Sequence, residues 1–481
     1  MNEAPHVCCS GTVETGNDSY DLIVVGAGSA GFSAAITAAE HGARVALIGH
    51  GTIGGTCVNF GCVPSKTLIR AVEALHQPRV ASRFAGIEAH SRLVDWRAVI
   101  AQKNDLVAHL RQAKYVDLLR IYDTIAYHEG RARLCDGGVA LDGRLLRAPR
   151  IVLATGSAPA VPAIDGIDEI PYLTSQSAFE LEKLPASLLV IGGGYIGCEA
   201  AQMFARAGVR VTLVTRRRLL PAAEPEISAA LTGYLCEEGL NVRCGLSYRT
   251  IRPTEGGVAL TIEVGGQEET ITAEKVLLAT GRRPNTQGLG LEEAGVALRP
   301  DGGIRVDARM RTSRPGIYAA GDVTGRDMFV YMAAYGARIA VENALNGDGR
   351  RYDARAMPAV VFTDPQVASV GLSEAAARDQ GHTVRTSVLP LEAVPRALAA
   401  RDTRGLIKLV ADAATDRLLG AHILAPEGAD SIQTAALAIR QGLRVQELGD
   451  MIFPYLTTVE GLKLAAQAFD KDVAKLSCCA G

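Results

Sequence analysis

One pattern constrains this chain more than any other, and it occurs twice. A short apolar strand runs into a Gly-x-Gly-x-x-Gly loop that opens a helix of small residues. The first copy passes from residues 21–25 into Gly26, Gly28 and Gly31, then through Ala-rich sequence to a stop at Gly42 and a second strand over 44–48. The second copy passes from residues 188–191 into Gly192, Gly194 and Gly197, a helix ending before Gly208, and a strand over 209–214. Strand, helix, strand in this order demands a parallel pair with the helix as crossover. In each loop the first glycine allows a tight turn, the second lets backbone approach a pyrophosphate, and the third packs helix on sheet. The helix N-terminus then turns its unsatisfied N–H groups toward the phosphates. Two such copies predict two α/β, Rossmann-like dinucleotide-binding domains.

The remaining punctuation sets expected boundaries. Ala154-Thr155-Gly156 and Ala279-Thr280-Gly281 each close a further strand and read as the returns of the two nucleotide domains. Residues 1–18 read as a loose tail, 19–165 and 166–283 as the two nucleotide domains, 284–356 as a connecting segment, and 357–481 as a third, α+β unit. At about 150 residues per domain, 481 residues suit this division. Fifty basic against 52 acidic side chains argue against a polybasic nucleic-acid or membrane-surface protein. No run of about 18 apolar residues predicts a membrane span, and the N-terminus lacks a signal-peptide pattern. A cytoplasmic setting is therefore expected.

The residue closing the second strand of such a unit selects the ribose. An acid there holds a 2′-hydroxyl, whereas arginines favour a 2′-phosphate. In the second copy the position is Thr215, followed by Arg216, Arg217 and Arg218, which predicts NADPH over NADH. In the first copy the position is Gly49, followed by His50, so a dinucleotide bound there must be held by other groups.

The ten cysteines are too sparse for a disulfide scaffold, but six fall in close pairs: Cys8/Cys9, Cys57/Cys62 and Cys478/Cys479. Cys57 and Cys62 lie in Gly54-Gly-Thr56-Cys57-Val-Asn-Phe-Gly-Cys62-Val-Pro-Ser-Lys66, just after the first unit. Glycines give that segment the freedom to close a small redox disulfide, and a helix beginning near Cys62 would favour its thiolate. Vicinal cysteines at a terminus seldom serve packing and suit a thiophilic ion as two soft donors. Cys135, Cys198, Cys236 and Cys244 read as core or incidental thiols.

The Gly-Gly-Thr-Cys-x4-Cys-x2-Ser-Lys segment resembles the redox motif of the FAD-dependent pyridine nucleotide–disulfide oxidoreductases. So does Thr312-Ser-Arg-Pro-Gly-Ile-Tyr-Ala-Ala-Gly321-Asp322, and the likeness extends from about residue 20 to the end. It implies a glutathione-reductase-like fold, FAD and NADPH as cofactors, and a homodimer built through the C-terminal domain. It further implies that Cys57 and Cys62 are the redox pair, with Cys62 toward the flavin. Lys66 would lie beside the flavin paired with Glu199, and Tyr195 would gate the nicotinamide pocket. Asp322 would hold the ribityl chain, which makes 284–356 a second FAD segment. Gly51, Thr56, Ala132, Thr155, Gly156 and Val330 would complete the FAD contacts.

Two departures narrow the likeness. Disulfide-reducing members carry a C-terminal His-Pro-x-x-x-Glu whose histidine relays protons. Here Tyr455 takes the histidine position, with Glu460 retained, and a phenol of pKa about 10 is a poor proton shuttle near neutrality. The second departure is the Cys478-Cys479 tail. Together with the Cys57/Cys62 pair, these resemble the mercury(II)-reducing branch of the family. That implies Hg(II), arriving as thiol complexes, as substrate, with Cys57, Cys62, Cys478 and Cys479 as its ligands and the active site shared between subunits. The metallochaperone domain common in that branch is not expected in the short stretch ahead of residue 21, where Cys8/Cys9 lack its spacing. A disulfide reductase of the same fold, and a flavoprotein that binds mercury without turnover, are the competing readings.

Overall fold

Five parallel strands carry the first nucleotide domain, in the spatial order Ile317–Ala319, Ile151–Leu153, Leu22–Val25 (β1), Val45–Gly49 (β2) and Ile125–Glu129 (β3). β1 and β2 are buried along their whole length, as strands covered on both faces must be. Helix α1, Ser29–Glu40, crosses between them with Ala34, Ala35 and Ala38 inward. The computed structural model describes residues 19–475, which form two units. One comprises the chain up to Pro64, Gln102–Pro159 and Arg282–Tyr352; the other comprises Ser65–Ala101, Ala160–Gly281 and the chain from Asp353.

The central segment 284–356, expected as a second FAD segment, contributes most of its length to the first unit. Its strand Ile317–Ala319 completes the parallel sheet, and its helix Val330–Asn346 joins α1 in one core through Ala333, Ala337 and Ala340. Chain order hides this, because the strand returns to the sheet only after the whole second nucleotide domain. The antiparallel ribbon Ala132–Cys135, Gly138–Leu141 and Arg144–Leu146 also belongs to this unit.

The second unit holds the other parallel sheet, ordered Asn241–Cys244, Arg210–Thr215, Ser187–Ile191 and Lys275–Leu278. It also holds a five-stranded antiparallel sheet, from Pro358–Val361 to Val384–Pro390 at its edges, with helices Gly428–Gln441 and Glu460–Gln467 on its core. Two nucleotide-binding α/β sheets and a C-terminal α+β sheet are the expected fold class. Residues 65–101, expected with the first nucleotide domain, pack in the second unit: Leu68, Val72, Trp96 and Ile100 enter its core beside Phe204.

One polar cluster, centred on buried Lys408 and Glu224, braces this unit. Lys408, 2% exposed, places Nζ 2.9 Å from Glu224, 2.9 Å from Glu226 and 2.8 Å from Glu374. The three carboxylates converge as a metal site would, but the ammonium already stands among them. Their charge raises the Lys408 pKa against the opposing effect of burial.

Candidate active site

The two glycine loops are built alike. Gly26 and Gly192 adopt φ of 118° and 119°, open only to glycine, and a side chain on either would overlap the carbonyl of Ala154 or Ala279. Gly31 and Gly197 lie against the carbonyls of Gly26 and Gly192, where no Cβ fits. The helices that follow, α1 and Tyr195–Arg206, have Gly28 and Gly194 as N-caps and no side-chain cap. Both therefore present bare N–H groups to the space in front of the loop, which is what a pyrophosphate needs. Thr155 and Gly156 follow the Ile151–Leu153 strand, and Thr155 Oγ1 donates to the Asn285 carbonyl at 2.7 Å. Asp322 follows Gly321 and accepts from Ser157 Oγ at 2.6 Å. Gly51 is exposed in a turn of positive φ, Ala132 begins a strand, and Val330 begins its helix.

The cysteine segment is held against the first loop. A Cβ on Gly55 would come 2.6 Å from the Gly28 Cα, so glycine at both positions is what allows the approach. Helix α2, Gly55–Asn59, contains Thr56 and Cys57; a break at Phe60 and Gly61 follows, and helix α3, Cys62–His76, begins at the second cysteine. Buried Asn59 locks the turn, donating to the carbonyls of Ile53 at 2.9 Å and Gly55 at 2.8 Å and accepting from Arg111 at 3.1 Å. Cys57 is half-buried and Cys62 exposed. The start of α3 brings the positive end of a fifteen-residue helix to the Cys62 sulfur.

Two neighbours of the pair are not marked by any motif. Tyr115 has its phenol pKa raised mainly by burial, with both cysteines adding to the rise, and its hydroxyl lies 3.5 Å from Ser29 Oγ. Arg282 donates to Ser157 Oγ at 2.7 Å; burial lowers its pKa, while the nearby charges of Asp322 and Cys62 raise it. A guanidinium there stabilises negative charge at Cys62 and Asp322 together. Its only sequence signal is its position directly after Thr280-Gly281.

In the second unit Lys66 and Glu199 pair at 2.6 Å, as the resemblance implied. Glu199 is 6% exposed and its other oxygen accepts the Phe362 N–H at 2.9 Å. The Phe362 ring also carries the Lys66 ammonium at 4.8 Å from its centroid. Tyr195 opens the helix that bears Glu199 one turn later, and burial raises its phenol pKa. The pair borders a cleft of about 640 Å³ that Phe362 and Thr458 also line.

The arginine triplet divides. Thr215 packs under Gly193 of the second loop. All three arginines are exposed, and Arg216 lies over the Tyr248 ring at 5.0 Å. Arg218 instead donates to the carbonyls of Pro221 and Ala223 at 3.0 and 2.8 Å, so it shapes its own turn. In the C-terminal domain Tyr455 is exposed, and buried Glu460 accepts the Leu456 N–H at 3.2 Å. Cys8, Cys9, Cys478 and Cys479 lie outside the described residues. Of the single cysteines, Cys198 is buried, Cys135 and Cys244 are half-buried, and Cys236 is exposed. Among the described residues no helix is long and apolar enough to cross a membrane.

Fold and loops together define a two-dinucleotide oxidoreductase, and the chain belongs to the pyridine nucleotide-disulphide oxidoreductase family, matched over residues 20–338 with its dimerisation domain over 357–466. Membership makes it an enzyme whose cofactors are FAD and NADPH, and the two uncapped cradles fit such dinucleotides. Among curated relatives it is 47% identical to the mercuric reductase of Staphylococcus aureus over 96% of this chain and 84% of that one. It is 48% identical to the mercuric reductase of Streptomyces lividans, over 96% and 98% of the two chains. Of solved structures, it resembles the HOCl-induced flavoprotein disulfide reductase RclA of Escherichia coli (TM-score 0.82, 32% identity, 93% of this chain and 99% of that chain). It also resembles LpdA of Mycobacterium tuberculosis (TM-score 0.82, 28% identity, 93% and 99%).

Proposed function

We propose that this enzyme is a cytoplasmic mercury(II) reductase: NADPH + Hg(II) → NADP⁺ + H⁺ + Hg(0). The observation that carries the reading is Tyr455 in the turn closed by buried Glu460. A disulfide reductase of this family needs a proton relay there, and a phenol supplies none near neutral pH. Likeness to curated mercuric reductases over nearly the whole chain supports the same substrate.

Bound FAD would supply the two-electron chemistry that links NADPH to the ion. The protein's residues handle the ion. Free Hg(II) is scarce wherever thiols are present, so it arrives as a dithiol complex. Cys478 and Cys479 of the partner subunit exchange with those thiols and pass the ion to Cys57 and Cys62 by further thiol exchange. Cys62, at the start of α3, is the flavin-side thiolate, and Cys57 is the receiving one. Lys66 and Glu199 position the flavin edge, Tyr195 covers the nicotinamide site, and Tyr455 lines the ion cavity. Arg216 and Arg217 receive the 2′-phosphate.

The test is NADPH oxidation by purified enzyme with Hg(II), with and without excess thiol, while trapping vapour. Stoichiometric Hg(0) supports the reading. NADPH oxidation driven only by small disulfides would assign a disulfide reductase, and mercury binding without vapour would assign a sequestering flavoprotein.

A further inference from the structure

The first nucleotide unit lacks a carboxylate at the end of β2, where an acid would hold the adenosine ribose. The structure shows what stands there instead. Parallel pairing sets Gly49 directly opposite Glu129, the last residue of β3. Side chains two apart on a strand share a face, so Tyr127 and Glu129 project on one side of the sheet. Register puts the missing side chain of Gly49 on that side too. A Cβ at Gly49 would lie 2.5 Å from Tyr127 Oη and 2.9 Å from the Ala27 Cβ. Ala27 belongs to the glycine loop itself. The Tyr127 phenol thus fills the space from which an acid at position 49 would reach, on the face of the sheet that packs with α1 and with Ala27 of the glycine loop.

Neither polar group on this face is used elsewhere. Among the described residues, no hydrogen bond engages the Tyr127 hydroxyl or the exposed Glu129 carboxylate. The two are near enough that the Glu129 charge adds to the burial that raises the Tyr127 phenol pKa. His50, the other polar neighbour, is exposed on the turn beyond β2.

We propose that the ribose-binding acid has moved one strand across: Glu129 accepts the hydrogen bond from the adenosine ribose of FAD, with the Tyr127 hydroxyl beside it. The assignment concerns FAD binding alone and does not depend on the mercury reading.

The experiment compares FAD with an analogue whose adenosine lacks both ribose hydroxyls, titrated into apoprotein and followed by flavin fluorescence quenching. A hydrogen bond to a charged group predicts that the wild type prefers FAD by about tenfold or more. Glu129→Gln should abolish most of that preference by weakening FAD while leaving the analogue unchanged. Tyr127→Phe should reduce the preference in the same direction by a smaller factor. Equal weakening of both ligands by Glu129→Gln would assign the residue a structural role and overturn the proposal. So would an undiminished preference in that variant, or no preference in the wild type.

Discussion

Lys66 Nζ stands 2.6 Å from Glu199 Oε2, and the opposite oxygen of the same carboxylate accepts the Phe362 N–H. The carboxylate is buried while the ammonium is 32% exposed. One acid therefore ties together helix α3, the second glycine-loop helix and the start of the C-terminal domain.

Lys66→Met should leave Glu199 buried with only the amide to stabilise it. Breaking a buried pair costs about 3–5 kcal/mol, and the partial exposure of Lys66 lowers that to about 1–3 kcal/mol. Adding Glu199→Gln removes the stranded charge and keeps an acceptor for the amide. Urea unfolding should show the double variant recovering most of the loss. A double variant less stable than Lys66→Met would contradict this account.

Arg216→Gln/Arg217→Gln should raise KM for NADPH by about 10-fold or more, the scale of lost charge-assisted phosphate contacts, with little change for NADH. Arg218→Gln should affect both nucleotides alike, because that side chain holds the turn through Pro221 and Ala223. Steady-state kinetics with each nucleotide separates the two. Parallel losses for the Arg216/Arg217 variant would remove the phosphate assignment.

Cys478→Ala/Cys479→Ala should slow turnover of Hg(II) bound to bulky thiols by at least about 10-fold, since ligand exchange then lacks the paired thiols of the tail. Reduction of the flavin by NADPH should stay near the wild-type rate in stopped flow. Full turnover of the bulky complex would exclude the tail as a relay.

Acid should destabilise the fold from below pH 6.5. Burial lowers the pKa of both His76 and His422 from the ordinary 6.5. Their folded forms hold fewer protons than the unfolded chain between the lowered values and 6.5. Their contribution is thus complete above 6.5 and is lost as pH falls through the folded pKa values. His422 faces the Leu372 carbonyl through Nε2 at 3.0 Å, and its Nδ1 is buried with no hydrogen-bond partner among the described residues. Urea midpoints at pH 8 and pH 5.5 should differ, and His422→Gln should narrow the difference. An unchanged gap would place the acid sensitivity elsewhere.

Local chemistry made much of this protein legible before any coordinates. Glycine loops after buried strands and the start of a helix at Cys62 follow from short segments whose residues have few other uses, whereas the Lys66–Glu199 pairing was implied only by the family resemblance. The resemblance marked 284–356 as a second FAD segment, but the place of 65–101 was not legible, because its packing partners lie far along the chain. Arg282 was not legible either. It matters only because folding sets it beside Ser157 and Asp322.

The same division applies to the first nucleotide site. By itself the sequence determined that a dinucleotide loop forms at Gly26 and that the customary acid is missing at Gly49. It carried no sign of a replacement, since Tyr127 and Glu129 lie nearly eighty residues away on a strand with no motif. Only the parallel register of β2 and β3 decided that they share one face with the loop. Backbone hydrogen bonds set that register, and the alternation of side chains along a strand turns it into a specific choice of neighbours.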